Sequence, residues 1–212
     1  MADETDPLLY HFTHISHLES ILTHGIFSDT RAQAMGLITH EAGDQGVKER
    51  RRSMTVPIEP GGVVADYVPY YFAPRSPMLL RIMTNRVPSY TGARDELIYL
   101  PTRVSTLTSL GLQPIFTRRN AALLTAEFFD DPAELATNID WPLMKERYWN
   151  DTPTDGDRMH RRMAECLVHD HVPPDAIIGL AAMSGERVYD VEVILDRIGF
   201  SLSVVQRPSW YY

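Results

Sequence analysis

Histidines recur at a spacing of three as His11, His14 and His17. On a helix such spacing can aim imidazoles at one metal ion. His11 and His14, however, straddle a strand end and a helix start, where the rings diverge; the other reading is a polar strand end that faces a pocket and holds a ligand with backbone help. A second pair, His169 and His171, lies close to Glu165. On a strand, alternate residues share a face, and two imidazoles with a carboxylate can hold a metal for hydrolysis; the plainer reading is a half-buried turn ahead of Pro173 and Pro174. Glu165 enters an apolar run, AECLV, and is either a surface residue or a catalytic carboxylate held against low-dielectric walls. Tyr67, Tyr70, Tyr71 and Phe72, beside Arg75, either pack a core or stack on a flat ligand such as nicotinamide or a base. No GxGxxG and no GxxxxGK[ST] occurs, so neither a dinucleotide fingerprint nor a P-loop is present.

The cations are unevenly chosen and unevenly placed. Of 20 basic residues, only Lys48 and Lys145 are lysines. Arginine offers a planar fork that pairs two-pronged with phosphate; a bias toward GC-rich codons enriches it as well. Position separates the readings in part, because arginines gather at Arg50, Arg51 and Arg52, at Arg118 and Arg119, and at Arg158, Arg161 and Arg162. Three basic knots on a chain of net charge −8 point to local anion sites rather than a nucleic-acid coat.

The elements that must position these groups follow from patterning. LLYHFT at 8–13 alternates and reads as a strand. SHLESILTHG reads as a short helix, with Ser16 as cap, Glu19 closing a capping box, Leu18, Ile21 and Leu22 on one face, and Gly25 as its stop. Residues 28–62 show no clean period and read as a long irregular segment. VVADYVPYYFAP reads as one or two strands, ELIYLPT at 96–102 as a buried strand, and PIFT at 114–117 as a strand followed by a helix over 120–129. A second irregular segment runs on from Trp141 and regains helical character near Arg158. Then come an apolar AECLVHDHVP, a buried strand in AIIGLAAM, a helix in VYDVEVILDRIG and a final strand in LSVVQRP. Strands and helices mix without βαβ alternation, so the expected class is α+β on a mostly antiparallel or split sheet.

The 212 residues suit one domain, and 44% hydrophobic content supports a core. No apolar run reaches the ~18 residues of a membrane span, and the acidic N-terminus lacks the form of a signal peptide. The one cysteine, Cys166, permits no internal disulfide and no cysteine-based zinc site. A cytoplasmic protein is the expectation.

Several blocks, in order, resemble the DarT family of DNA ADP-ribosyltransferase toxins: YHFTHISHLESILTHGI, VPIEPGG, DYVPYYFAPRSPML, PIFTRRNA, IDWPLM and RRMAECLVHDHVP. The likeness runs from about Leu9 to the C-terminal WYY. It implies a single ADP-ribosyltransferase domain over 1–212, with a split, mostly antiparallel β-sheet core and flanking helices. It implies transfer of ADP-ribose from NAD⁺ to a base in single-stranded DNA, most typically N3 of thymine, no metal, and a cognate macrodomain antitoxin. By position the catalytic glutamate falls on Glu165 and the catalytic arginine on Arg51, with Arg50 and Arg52 close by. The NAD⁺ set falls on His11, Phe12, Thr13 and His14, joined by Leu22, Tyr71 and Arg51. The two irregular segments, about 30–55 and 144–160, become the walls of a DNA groove, with Arg50, Arg52, Arg119, Asn120, Tyr148, Trp149, Arg158 and Arg161 facing the strand. Some members carry His where this chain has Asn120. The competing readings keep the fold but change the acceptor to guanine, RNA or protein, leave a silent binding module, or invoke a histidine metal hydrolase.

Overall fold

The computed structural model describes residues 4–38 and 45–212; part of the first irregular segment, 39–44, lies outside the described residues. The described strands are β1 (Leu8–His14), β2 (Ile26–Phe27), β3 (Tyr67–Tyr71), β4 (Leu97–Arg103), β5 (Ile115–Thr117), β6 (Phe128–Phe129), β7 (Glu165–His169), β8 (His171–Val172), β9 (Leu180–Ala182) and β10 (Val204–Gln206). The described helices are α1 (Leu18–His24), α2 (Asp29–Ala34), α3 (Gln45–Ser53), α4 (Pro77–Met83), α5 (Val104–Ser109), α6 (Leu135–Asn138), α7 (Trp141–Lys145), α8 (Arg158–Arg161) and α9 (Gly185–Ile198). Eight strands form one sheet in the order β10-β9-β4-β1-β3-β7-β5-β6, and β2 pairs with β8 beside it. Only β10 on β9 is parallel, so the sheet is mixed but mostly antiparallel, and the class is α+β.

The central strand explains the layers. β4 lies between β1 and β9 and is buried up to its last residue. Its Ile98 and Leu100 join one core with Leu9, Val68, Leu18 and Val191, while Leu97 and Tyr99 join another with Leu79, Ile82 and Tyr211. A strand covered on both faces needs apolar residues at every position, which is why LIYLPT reads as a run. On α1, Leu18, Ile21 and Leu22 are buried at helical spacing, as patterned. Gly25 ends it at φ +89, and a Cβ there would sit 2.3 Å from the Val172 carbonyl oxygen. No helix of the described residues is long and apolar enough to cross a membrane.

Four expectations change. Ser16 does not cap α1. A 3₁₀ turn, Ile15–His17, intervenes, and His14 caps that turn by accepting from the Ser16 amide. The segment 28–62 is not structureless, for it holds α2 and α3. Residues 120–129 are not a helix. The chain turns and returns as β6, antiparallel to β5. Asn120 Oδ1 takes the Ala122 amide, and Glu165 Oε1 takes the Ala121 amide, so the first turn's donors are satisfied in a non-helical form. The strand in AIIGLAAM shortens to Leu180–Ala182.

Candidate active site

The sheet splits between β1 and β3. β1 pairs with β4 through all seven residues but with β3 only at Tyr10 and Tyr71. His11 bridges the gap instead, with Nδ1 donating to the Pro69 carbonyl at 2.9 Å. Burial pushes the His11 imidazole below its ordinary pKa, because a charged ring there would lose its water. A cavity of about 280 Å³ opens in the split. Its walls are Tyr10–Thr13 of β1, Ile21 of α1, Gly25–Phe27, Asp29 of α2, Val47, Lys48 and Arg51 of α3, and Tyr67, Pro69 and Tyr71 of β3. Helix α3 presents two of its four cations inward, Lys48 and Arg51, which are one turn apart, and Lys48 pairs with Asp29.

Glu165 opens β7 directly across from Tyr71. It is 1% exposed. Its Oε2 accepts from Arg51 Nη1 at 2.7 Å, and its Oε1 accepts from the Ala121 amide at 3.1 Å. Its own amide donates to Thr117 Oγ1 at 3.1 Å, and that hydroxyl donates to the Arg119 carbonyl at 2.7 Å. The carboxylate does not itself line the cavity; its ion-pair partner Arg51 and its cross-strand partner Tyr71 do. Burial opposes charge on Arg51, yet the facing Glu165 outweighs it and holds the guanidinium above its ordinary pKa. Tyr71 is pushed up by burial, then by Glu165, and stays protonated. Among the described residues, buried Arg51 Nη2 has no partner. An unsatisfied buried donor at a cavity wall calls for an acceptor from a ligand.

The residues singled out from sequence divide clearly. His11, Phe12, Thr13, Tyr71 and Arg51 line the cavity together. Leu22 does not; it belongs to the core, and its neighbour Ile21 takes the wall. His14 also turns away, for it is buried against Ser16 and Glu96, with Nε2 3.1 Å from Glu96 Oε2. His17 binds Thr13. His17 lines the cavity with His11 and meets the His14 ring edge-on at 6.2 Å, but the hydrogen bonds of the three run to different groups, so they do not converge on one point. His169 and His171 are parted by a turn at Asp170, φ +60, and His171 binds the His24 carbonyl. Among the described residues, no group of three His, Cys, Asp or Glu can hold a metal.

On the proposed DNA side, Trp149 is a correction. It is buried, and its indole donates to the Tyr212 hydroxyl, so it offers no open face for stacking. Arg161 is held by Asp140 and Asp155, and Arg119 by Asp157. Arg158 donates to the carbonyls of Tyr148 and Asn150 and braces that segment. Asn120 shapes the turn that carries the Ala121 amide. Arg50, Arg52 and Tyr148 are exposed, though Arg52 pairs with Asp29. Lys48, Asp29, Thr117 and Ala121 were not anticipated. The spacing of Lys48 and Arg51 was the available signal for the first, but only once the segment is known to be helical.

Known proteins match this arrangement. The family model described as ssDNA thymidine ADP-ribosyltransferase, DarT, matches residues 10–212. A DNA ADP-ribosyl transferase of Thermus sp. (strain 2.9) is 33% identical over 214 residues, covering 96% of this chain and 95% of that protein. One of Mycobacterium tuberculosis (strain ATCC 25618 / H37Rv) is 31% identical over 211 residues, covering 98% and 90%. The structure of Thermus sp. 2.9 DarT in complex with ADP-ribosylated ssDNA superposes with a TM-score of 0.91 at 32% identity, over 100% of this chain and 99% of that one. The same protein in complex with NAD⁺ gives 0.87 at 31% identity, with both chains fully covered. A split sheet, a carboxylate fixed at the cavity's edge and a match across nearly every residue lead to one conclusion: the chain belongs to the DarT family of single-stranded-DNA ADP-ribosyltransferases.

Proposed function

We propose that this chain transfers ADP-ribose from NAD⁺ to N3 of thymine in single-stranded DNA and releases nicotinamide. The observation that carries this reading is Glu165, a buried carboxylate fixed by Arg51 and the Ala121 amide at the edge of the cavity. The cavity suits a dinucleotide. Phe12 and Tyr71 offer near-parallel rings 6.5 Å apart, and Lys48 and Arg51 supply positive charge for a pyrophosphate. The unpartnered Arg51 Nη2 is a donor in want of an oxygen.

NAD⁺ supplies a glycosidic bond whose cleavage sends the bonding pair to neutral nicotinamide and leaves positive charge on the ribose. Glu165 stabilises that charge and holds the ribose 2′-hydroxyl. Each carboxylate oxygen makes one protein hydrogen bond and keeps capacity for another. As thymine N3 donates its pair to the anomeric carbon, its proton passes to Glu165 and then to water. Arg51 keeps the carboxylate aimed and balances charge as the base loses its proton. Unpaired bases alone can reach this site, so a duplex is a poor substrate. A macrodomain antitoxin that reverses the mark is the partner this reading implies.

Incubation with NAD⁺ and a thymine-containing single-stranded oligonucleotide should add one ADP-ribose mass per target site. Replacing the target thymine by N3-methylthymine should abolish the addition. No mass shift across a broad panel of oligonucleotides would reject the assignment; a shift on guanine or RNA alone would move the acceptor.

A further inference from the structure

We propose that Asp29 sets the choice of donor: its carboxylate faces the adenosine ribose, admits NAD⁺ and refuses NADP⁺. The inference rests on NAD⁺ lying in the cavity with its nicotinamide ribose at Glu165, and adds to that reading what bounds the other end.

The placement follows from strand register. β3 carries Tyr71 opposite Glu165 at one end and Tyr67 opposite His169 at the other. Its five residues hold those ends about 13 Å apart. Tyr71, Pro69 and Tyr67 all line the cavity, so the cavity runs the length of the strand. The start of α2 is pinned at the Tyr67 end. Thr30 Oγ1 donates to Asp66 Oδ1 at 2.7 Å, the Asp170 amide donates to the Asp66 carbonyl at 2.8 Å, and the Ser28 amide donates to the Asp170 carbonyl at 2.8 Å. Asp29 and Ala32 of α2, with Phe27, therefore line the part of the cavity away from Glu165. A dinucleotide that offers its nicotinamide ribose to Glu165 and its pyrophosphate to Lys48 and Arg51 brings its adenosine there.

Charge decides what Asp29 can meet. Among the described residues, it is the one acidic side chain on the cavity wall. Lys48 pairs with its Oδ1, Arg52 Nη2 donates to its Oδ2 at 3.1 Å, and Gln33 Nε2 reaches both oxygens at 3.2 and 3.3 Å. Those donors fix its position, and its side chain stays 23% exposed. A carboxylate repels a phosphate at contact, so the pyrophosphate cannot lie against it, whereas a ribose hydroxyl can donate to it. A 2′-phosphate in place of that hydroxyl brings a charge of about −1.5 to −2 and little capacity to donate. Lys48 and Arg52 are four residues apart on α3 and share a face, as a seat for a third phosphate would require. Asp29 occupies the place between them and closes that seat.

The test is kcat/KM for the two donors on one thymine-containing oligonucleotide. The wild type should prefer NAD⁺ to NADP⁺ by at least about 10²-fold, the scale of a like-charge clash at contact. Asp29→Asn should cut that ratio at least about tenfold, with the KM for NADP⁺ falling as the KM for NAD⁺ rises. Adding Arg52→Gln to Asp29→Asn should restore part of the preference, because a cation that seats the 2′-phosphate is gone; any effect on the oligonucleotide cancels in the ratio. A purely structural Asp29 would slow both donors alike. On the unaltered protein, ADP-ribose should compete with NAD⁺ and 2′-phospho-ADP-ribose should not. An unmoved ratio in Asp29→Asn, or equal competition by the two nucleotides, overturns the proposal while modification with NAD⁺ still stands. A wild type that modifies no oligonucleotide with either donor overturns the parent reading and this one with it.

Discussion

At the scale of single residues, the site depends on how burial changes the worth of a charge. Glu165 and Arg51 form a pair in which one member is 1% exposed and the other's side chain 14%. Removing one partner strands the other away from water, at about 3–5 kcal/mol for a buried pair. Arg51→Met should therefore lower the urea midpoint as well as the rate. Glu165→Gln keeps only one of the two contacts, because its amide nitrogen then faces the Arg51 guanidinium, so its urea midpoint should fall as well and its rate is read on the folded protein. The amide keeps an oxygen for the Ala121 N–H and keeps the volume, but it cannot stabilise a cationic sugar or take a proton. Its modification rate should fall by at least ~10²-fold, the scale of one lost electrostatic stabiliser, while single-turnover traces with excess NAD⁺ show that binding is not the cause. His11 gives a signed pH effect. Its folded pKa is depressed by burial, and the unfolded ring titrates at its ordinary value of about 6.5. Below that pH the unfolded chain binds a proton the native chain refuses, so stability drops as the solution acidifies. His11→Asn retains a donor for the Pro69 carbonyl and lacks the titration. The gap between its urea midpoints at pH 7.5 and 5.5 should be narrower than the wild type's; equal gaps would show the imidazole is not the group responsible.

At the scale of elements, the lesson lies in which patterns carry information. β4 and α1 were legible because apolar side chains meet apolar cores, and that spacing is written in residue type. α3 was not, because its inward face is Val47, Lys48 and Arg51 turned toward a cavity, so a helix that matters for function shows no apolar stripe. NAALLTAEFF has helical propensity, yet side chains distant in sequence decide its form. Glu165 takes the Ala121 amide, and the Arg118 amide reaches the Glu127 carbonyl to close a hairpin. Family likeness located Glu165 and Arg51 in the sequence; they meet across 114 residues because α3 packs on the turn at 64–66 that leads into β3, whose Tyr71 lies opposite Glu165. Thr117 shows how such an element holds the site. Its buried hydroxyl accepts the Glu165 amide and donates to the Arg119 carbonyl, so it joins β5, β7 and the turn at one atom. Thr117→Val keeps the shape and leaves a buried amide unsatisfied, which costs about 1–3 kcal/mol. Thermal unfolding should show that loss, and Thr117→Ser should recover most of it. A valine variant as stable as the wild type would mean the amide finds another acceptor.

At the scale of the whole molecule, a net charge of −8 has to coexist with a polyanionic acceptor. Arg119, Arg161 and Arg51, three of the cations nearest the site, are already paired with carboxylates, so few are left to displace counterions from DNA. Each phosphate neutralised on a single strand adds about −0.7 to the slope of log affinity against log salt. A protein that coats nucleic acid through six to ten contacts would lose several decades of affinity across moderate salt; one or two contacts give a slope between about −0.7 and −1.4. The acidic surface works in the same direction, because its repulsion of DNA is itself screened as salt rises. Binding should therefore be modest in strength but tolerant of salt, with discrimination arising from an unpaired base entering the site. Oligonucleotide titrations between 50 and 300 mM salt would measure the slope, and a value steeper than about −3 would mean that a basic surface grips the strand after all. The same titration with a fully paired duplex separates the two pictures further. A protein that grips by surface charge prefers the duplex, whose charge density is higher, whereas one that needs an extruded base must first break stacking and pairing, so the duplex should bind more weakly at every salt concentration.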